Sequence, residues 1–248
     1  MEGFMVLLRK EILESWRTYK FIIIGGITIF FAIVNVVTII YLPELMEMAG
    51  MDVAMDATAA ASMGSWIANL VMLAVFVPPF IVMGVVAKEL SDGITASTLV
   101  RPVGRWAYIL PKFLVYTVIF LLWAIVSTII CYLITNFAIE EYSFATTMQT
   151  LGLCLPTFVF AVALGIFFSS LFKSQVASAG ATIGVLFLMY ILSILPIVKH
   201  AIPLNVGNWS VSIINGDSET SWLALILCFV GAAALVCGAV INLKKKEI

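Results

Sequence analysis

One short stretch, KELSDGITASTLVRPVGRWAYILPK, gathers six charged side chains: Lys88, Glu89, Asp92, Arg101, Arg105 and Lys112. Carboxylates and basic groups this close together can pair with a partner surface, and arginine does so through a planar, directional fork. Gly93 and Pro102 add a turn and a break between short helical pieces. Trp106 adds an anchor suited to a membrane–water boundary. The apolar runs on either side hold no Asp, Glu, Lys or Arg. The chemistry on offer is therefore contact between a greasy body and something beside it. A plain loop whose basic residues only set membrane topology would carry the same residues.

Bond-making chemistry has no comparable cluster. No GxxxxGK[ST] phosphate loop occurs, so the chain does not hold ATP in that manner. No HExxH pair occurs, and the lone histidine, His200, sits outside the apolar runs. Cys131, Cys154, Cys228 and Cys237 all fall inside apolar runs without metal-ligand spacing, and read as small buried hydrophobes. Neither a catalytic residue nor a metal site nor a bound cofactor is assigned.

The elements that must position the charged stretch follow from composition. The chain is 63% hydrophobic and 11% charged. Soluble domains are about half apolar and a quarter charged, so this one is expected to be an integral membrane protein. Net charge is −1, which gives no bulk basic field for nucleic acid. A spanning helix needs roughly 20 apolar residues, because the backbone must satisfy its own hydrogen bonds across the hydrocarbon. Six runs qualify, at 21–42, 66–87, 113–137, 150–172, 176–198 and 222–243. They predict an all-α membrane protein with residues 88–112 as the loop between the second and third spans.

No carboxylate or basic residue lies inside these runs, which disfavours an ion-driven pump. With a cytoplasmic N-terminus, every Lys and Arg except Lys199 falls on the inner side. Glu44, Glu47, Asp52, Asp56, Glu140, Glu141, Asp217 and Glu219 fall outside. The positive-inside bias thus predicts a multi-pass protein of the cell membrane with both termini cytoplasmic. The first run is too long, and its preface too mixed in charge, for a cleaved signal sequence.

Residues 1–20 form a separate element ahead of the membrane domain, 21–248. Phe4, Met5, Leu8, Ile12, Trp16 and Tyr19 recur at helical spacing, with Lys10, Glu14 and Arg17 roughly opposite. The pattern predicts an interfacial helix whose apolar stripe is buried and whose charges sit among headgroups. It fits a simple anchor or an elbow bracing a neighbouring subunit.

The charged loop resembles the cytoplasmic signature of the ABC type-2 permeases, the membrane subunits of ATP-binding-cassette exporters. Glu89 and Asp92 match that family's acidic cluster, Gly93 its glycine, Pro102 and Arg105 its Pro-x-x-Arg, and Lys112 the lysine opening the third span. Ile94-Thr95 stands where Thr-Leu is usual, and Pro111 replaces the glycine before Lys112. SSLFKSQVASA resembles the family's second cytoplasmic turn. Within the family, the six-span layout is similar to the permeases that serve nitrous oxide reductase maturation.

The resemblance implies a type-2 exporter permease fold, paired with a second permease copy, identical or related. It also implies a separate ATP-binding subunit that binds the ATP and drives export. Glu89, Asp92, Gly93, Arg101, Pro102 and Arg105 would couple to that subunit. A membrane assembly factor without an ATPase has the same topology and stays open.

Polar positions within the spans are fewer. Thr28, Asn35 and Thr38 share one side of the first run, Asn69 lies in the second, and Ser127 and Thr128 lie in the third. Asn35, Thr38 and Asn69 are candidates to line a pathway, and hydrogen bonding between helices explains them equally. Gly180 and Gly184 in GATIG predict a close helix contact, within the subunit in preference to a seam with a second copy. Met48, Met51 and Met55 could offer thioethers to Cu(I), or could belong to a short capping helix.

Overall fold

The computed structural model describes residues 2–48, 50, 57–93, 104–195, 201–214, 216 and 220–245. Arg101, Pro102, His200, Met51 and Met55 lie outside them. The described residues are mostly helical and include no strand, as expected where hydrocarbon leaves no water to satisfy the backbone. In chain order these are α1 Glu2–Arg17, α2 Lys20–Met48, α3 Ala59–Val82, α4 Gly84–Ser91, α5 Arg105–Ala138, α6 Phe144–Leu171, α7 Gln175–Ile194, α8 Asn205–Ile214 and α9 Trp222–Lys245. Six segments are long and apolar enough to cross a membrane: Lys20–Glu44, Ala59–Ser91, Arg105–Ala138, Phe144–Leu171, Gln175–Ser193 and Trp222–Lys244.

The second and third spans are longer than the sequence predicts. Helix continues through Lys88 and Glu89 to Ser91, and resumes at Arg105 rather than near 113. The charged stretch is therefore two helix ends with a shorter segment between them. This corrects the expectation that no carboxylate or basic residue lies within a span: Glu89 and Lys112 are both helical and buried.

α3 and α6 form the centre of the bundle, each about two-thirds buried. α6 packs against α3, α5, α7, α8 and α9, while α2 lies along α5. Pro78 and Pro79 remove two backbone donors from the end of α3, and the helix breaks at Met83 before α4 begins. No side chain of its own caps α4. Instead Ser169 of α6 accepts from the Val86 and Ala87 amides at 3.1 and 3.0 Å and donates to the Met83 carbonyl at 2.9 Å. One hydroxyl thus satisfies the backbone groups that the kink exposes.

The connection between the fifth and sixth spans contains α8, which is tucked into the bundle with Val206, Gly207 and Trp209 buried. Glycine is required there, since a Cβ at Gly207 would stand 2.2 Å from a Val71 methyl carbon. Gly180 and Gly184 do the opposite of what GATIG predicts. Nothing lies within 4 Å of a Cβ built at either, so this pair faces out of the subunit.

Candidate functional site: a buried ion cluster that joins three helices

α1 packs along α5 and presents its acidic side to it. Met5, Ile12 and Trp16 are exposed, whereas Glu11 and Ser15 are buried. Glu11 points at α5, where Lys112 donates to its Oε1 at 2.8 Å. Lys112 also lies 2.9 Å from Oε2 of Glu89 on α4. Lys10 reaches the other Glu89 oxygen at 2.5 Å, and lies 3.6 and 3.7 Å from Glu11 and Glu14. Tyr108 of α5 donates its hydroxyl to Glu89, and the Lys112 ammonium stands 5.0 Å from the centre of the Tyr108 ring.

The electrostatics explain why such a cluster survives burial. An isolated charge in a low-dielectric interior is prohibitive, and mutual pairing with full hydrogen bonding offsets the desolvation. Each buried carboxylate here has an ammonium partner. For Lys10, burial works against the charge, but the bond to Glu89 and the fields of Glu89, Glu11 and Glu14 together hold its ammonium above the ordinary lysine range. Glu11, Glu14 and Glu89 bring three carboxylate oxygens within 4.8 Å of one another, a grouping that could serve a metal ion. Lys10 and Lys112 already occupy the space between them as counter-ions, so the arrangement reads as an ion-pair lock.

The residues singled out by sequence divide sharply. Glu89 is turned inward into this lock, so its carboxylate does not face outward. Asp92 caps α4 through its amide on the Lys88 carbonyl and is exposed. Gly93 follows at φ +70°, the left-handed region that favours glycine. Arg105 opens α5 and is exposed, as are Lys88 and Trp106. The sequence marks Lys112 only as the lysine that opens the third span, and does not mark Glu11 or Tyr108. Tyr108, Lys112, Val115, Tyr116 and Ile119 recur at helical spacing, which was the available signal for an inward face.

The polar residues of the spans form a second seam. Asn35 donates to the Ser62 carbonyl at 3.0 Å, and Asn69 donates to the Asn35 side chain at 2.9 Å. Ser62 and Thr135 hydroxyls meet at 2.9 Å, and the Trp66 indole donates to Thr128 at 2.9 Å. These bonds tie α2, α3 and α5 together. Thr38 does not join them and lies exposed on the outer side of α2.

Residues 2–213 match the family described as ABC-2 type transporter. The chain belongs to the ABC-2 type transporter family. The match runs from α1 through α8 and so includes every member of the ion cluster. The permease is also similar to the "Uncharacterized transmembrane protein YxlG" of Bacillus subtilis, at 30% identity over 190 residues that cover 74% of each chain. As a member of this family the permease is a non-catalytic, multi-pass membrane component of a transporter.

Proposed function

We propose that this permease couples ATP hydrolysis on a separate ATP-binding subunit to export of a substrate, acting with a second permease copy, identical or related. One observation carries the reading: Glu89 and Lys112, at the two helix ends that border the segment between spans two and three, are ion-paired to each other and to Glu11 and Lys10 of α1. A partner pushing on that segment would therefore move α1, α4 and α5 as a unit. In this reading Asp92 and Arg105, with Arg101 and Pro102 between them, meet the ATP-binding subunit. Glu89 transmits the movement inward. Gly93 permits the turn that ends α4.

The positive-inside bias supports a cytoplasmic position for this end of the bundle and for both termini. ATP is held by the partner, and the permease itself needs no cofactor. The exposed apolar faces of α2, α7 and α9 suit lipid and a second copy. Asn35 and Asn69 stay candidates to border the route, and Thr38 only for a route along the outer side of α2.

The test is co-purification with an ATP-binding subunit of the ATP-binding-cassette type, followed by ATP hydrolysis in lipid nanodiscs. Asp92→Lys and Arg105→Glu are expected to lower the permease-stimulated rate. A complex that never forms, or a rate untouched by both changes, overturns the reading.

A further inference from the structure

A single turn separates the end of α1 from the start of α2, and its backbone is unusual. Tyr19 has φ +57°, in the left-handed region. Among the described residues the other positions with positive φ are all glycines, at Gly50, Gly93 and Gly216. Glycine enters this region freely, whereas a Cβ there crowds the following carbonyl oxygen. Position 19 is a helix C-terminal cap of the kind that glycine ordinarily fills. Its amide donates to the Trp16 carbonyl at 3.1 Å, and the Thr18 amide donates to the Glu14 carbonyl at 2.9 Å.

Tyr19 is 65% exposed, so its ring does not hold the turn in place. The elements on either side do. Past the turn, Lys20 donates to the Tyr116 hydroxyl of α5 at 2.9 Å. The Phe21 ring stands 5.1 Å from that of Trp123 on α5 and 5.3 Å from that of Trp16. Before the turn, Glu11 is bound to Lys112 of α5 and Lys10 to Glu89 of α4. A strained backbone persists only where its surroundings over-determine it. α2 is fixed as a membrane span, so the ties that set the angle of α1 are those of Lys10 and Glu11.

We propose that the α1–α2 elbow is a sprung hinge. The two ion pairs of α1 hold Tyr19 in its left-handed state. Their loss lets Tyr19 relax toward the right-handed region while α1 leaves α5. The Lys10–Glu89 pair reaches α4, so displacement of α4 is what frees it. The hinge belongs to the permease chain itself and does not rest on an ATP-binding partner.

Distances between spin labels at Val6→Cys on α1 and Val176→Cys on α7, measured in lipid nanodiscs, test this. Both positions are exposed, and Cys237→Ala removes the exposed native thiol. The labelled permease should show one distance. Lys10→Met/Glu11→Gln cuts both ties of α1 and leaves the Glu89–Lys112 pair, so no buried charge is orphaned. A second distance should then appear. Adding Tyr19→Gly should lower the second population relative to the first by about five- to thirty-fold, the cost of a Cβ in the left-handed region read as a ratio. Tyr19→Ala keeps the Cβ and should leave the ratio near its value with tyrosine. A cooperative thermal unfolding transition will show that each variant is folded. A second population that Tyr19→Gly leaves unchanged or raises overturns the proposal, because the turn is then a passive joint. So does an equal drop with Tyr19→Ala, which assigns the effect to the ring. One distance in Lys10→Met/Glu11→Gln overturns it too, since the ion pairs are then not what holds α1.

Discussion

Lys112 and Glu11 are 101 positions apart in the chain, yet their side chains meet at 2.8 Å with each only 2% exposed. The pair fixes a helix that lies outside the membrane spans to the third span, about ten ångströms (seven residues at 1.5 Å) inside its start. Glu89 is held by the same lysine, so one ammonium ties together three helices.

Removing that ammonium leaves buried Glu11 only its 3.6 Å contact with Lys10, while Glu89 keeps Lys10 and Tyr108. Lys112→Met is expected to destabilise the permease by about 3–5 kcal/mol, as breaking buried pairs does elsewhere. Glu11→Gln relieves part of the stranded charge. The double variant should therefore be more stable than the summed single effects by about 1–3 kcal/mol. Thermal unfolding in detergent measures all three. Strict additivity would mean the two side chains are not coupled.

The six spans were legible because a 20-residue apolar run has few other uses. The ion cluster was not, and the reason is physical. Charges near the end of a hydrophobic run are ordinarily read as the start of a loop, where water solvates them. Here Tyr108, Lys112 and Tyr116 keep helical register inward past Pro111, and Glu89 keeps register with Val85 and Val86. Neither continuation is visible unless the opposite charge is known to be waiting. That charge sits on α1, and no local pattern links Glu11 to a residue 101 positions away. The apolar periodicity of α1 is legible in the sequence, whereas the contact of its acidic side with protein is not, because an interfacial helix can turn its apolar side to lipid and its acidic side to a neighbouring helix.

Exposed residues at the two helix ends should behave differently from the buried ones. Asp92→Lys and Arg105→Glu touch no buried partner, so stability should change by no more than about 0.5 kcal/mol. Stimulated ATP hydrolysis should fall by roughly 5- to 100-fold if these side chains carry the coupling free energy. Glu89→Gln should lower both stability and stimulation. A loss of stability at Asp92 or Arg105 equal to that at Glu89 would place them in the lock instead.

Ser169 offers a test of how α4 is held. Ser169→Ala leaves the Val86 and Ala87 amides without their acceptor, at a cost of about 1–3 kcal/mol for buried donors. Amide hydrogen exchange should quicken at those two residues and along α4, and much less along α6. Unchanged exchange at Val86 and Ala87 would show that something else caps the kink.

The Asn35–Asn69 pair separates packing from pathway. As a bond between helices it should be worth about 0.6 kcal/mol and at most about 1.7, the range seen for buried polar contacts in membranes. Asn35→Leu removes the acceptor for Asn69 and the donor to the Ser62 carbonyl. Packing alone predicts a small drop in the unfolding midpoint with substrate transport unchanged once protein levels are matched. A pathway role predicts altered transport, with a matching change at Asn69→Leu and none at Thr38→Val, because Thr38 lies on the outer side of α2. Transport that responds to Thr38 and not to Asn35 would move the route to the outer face of that helix.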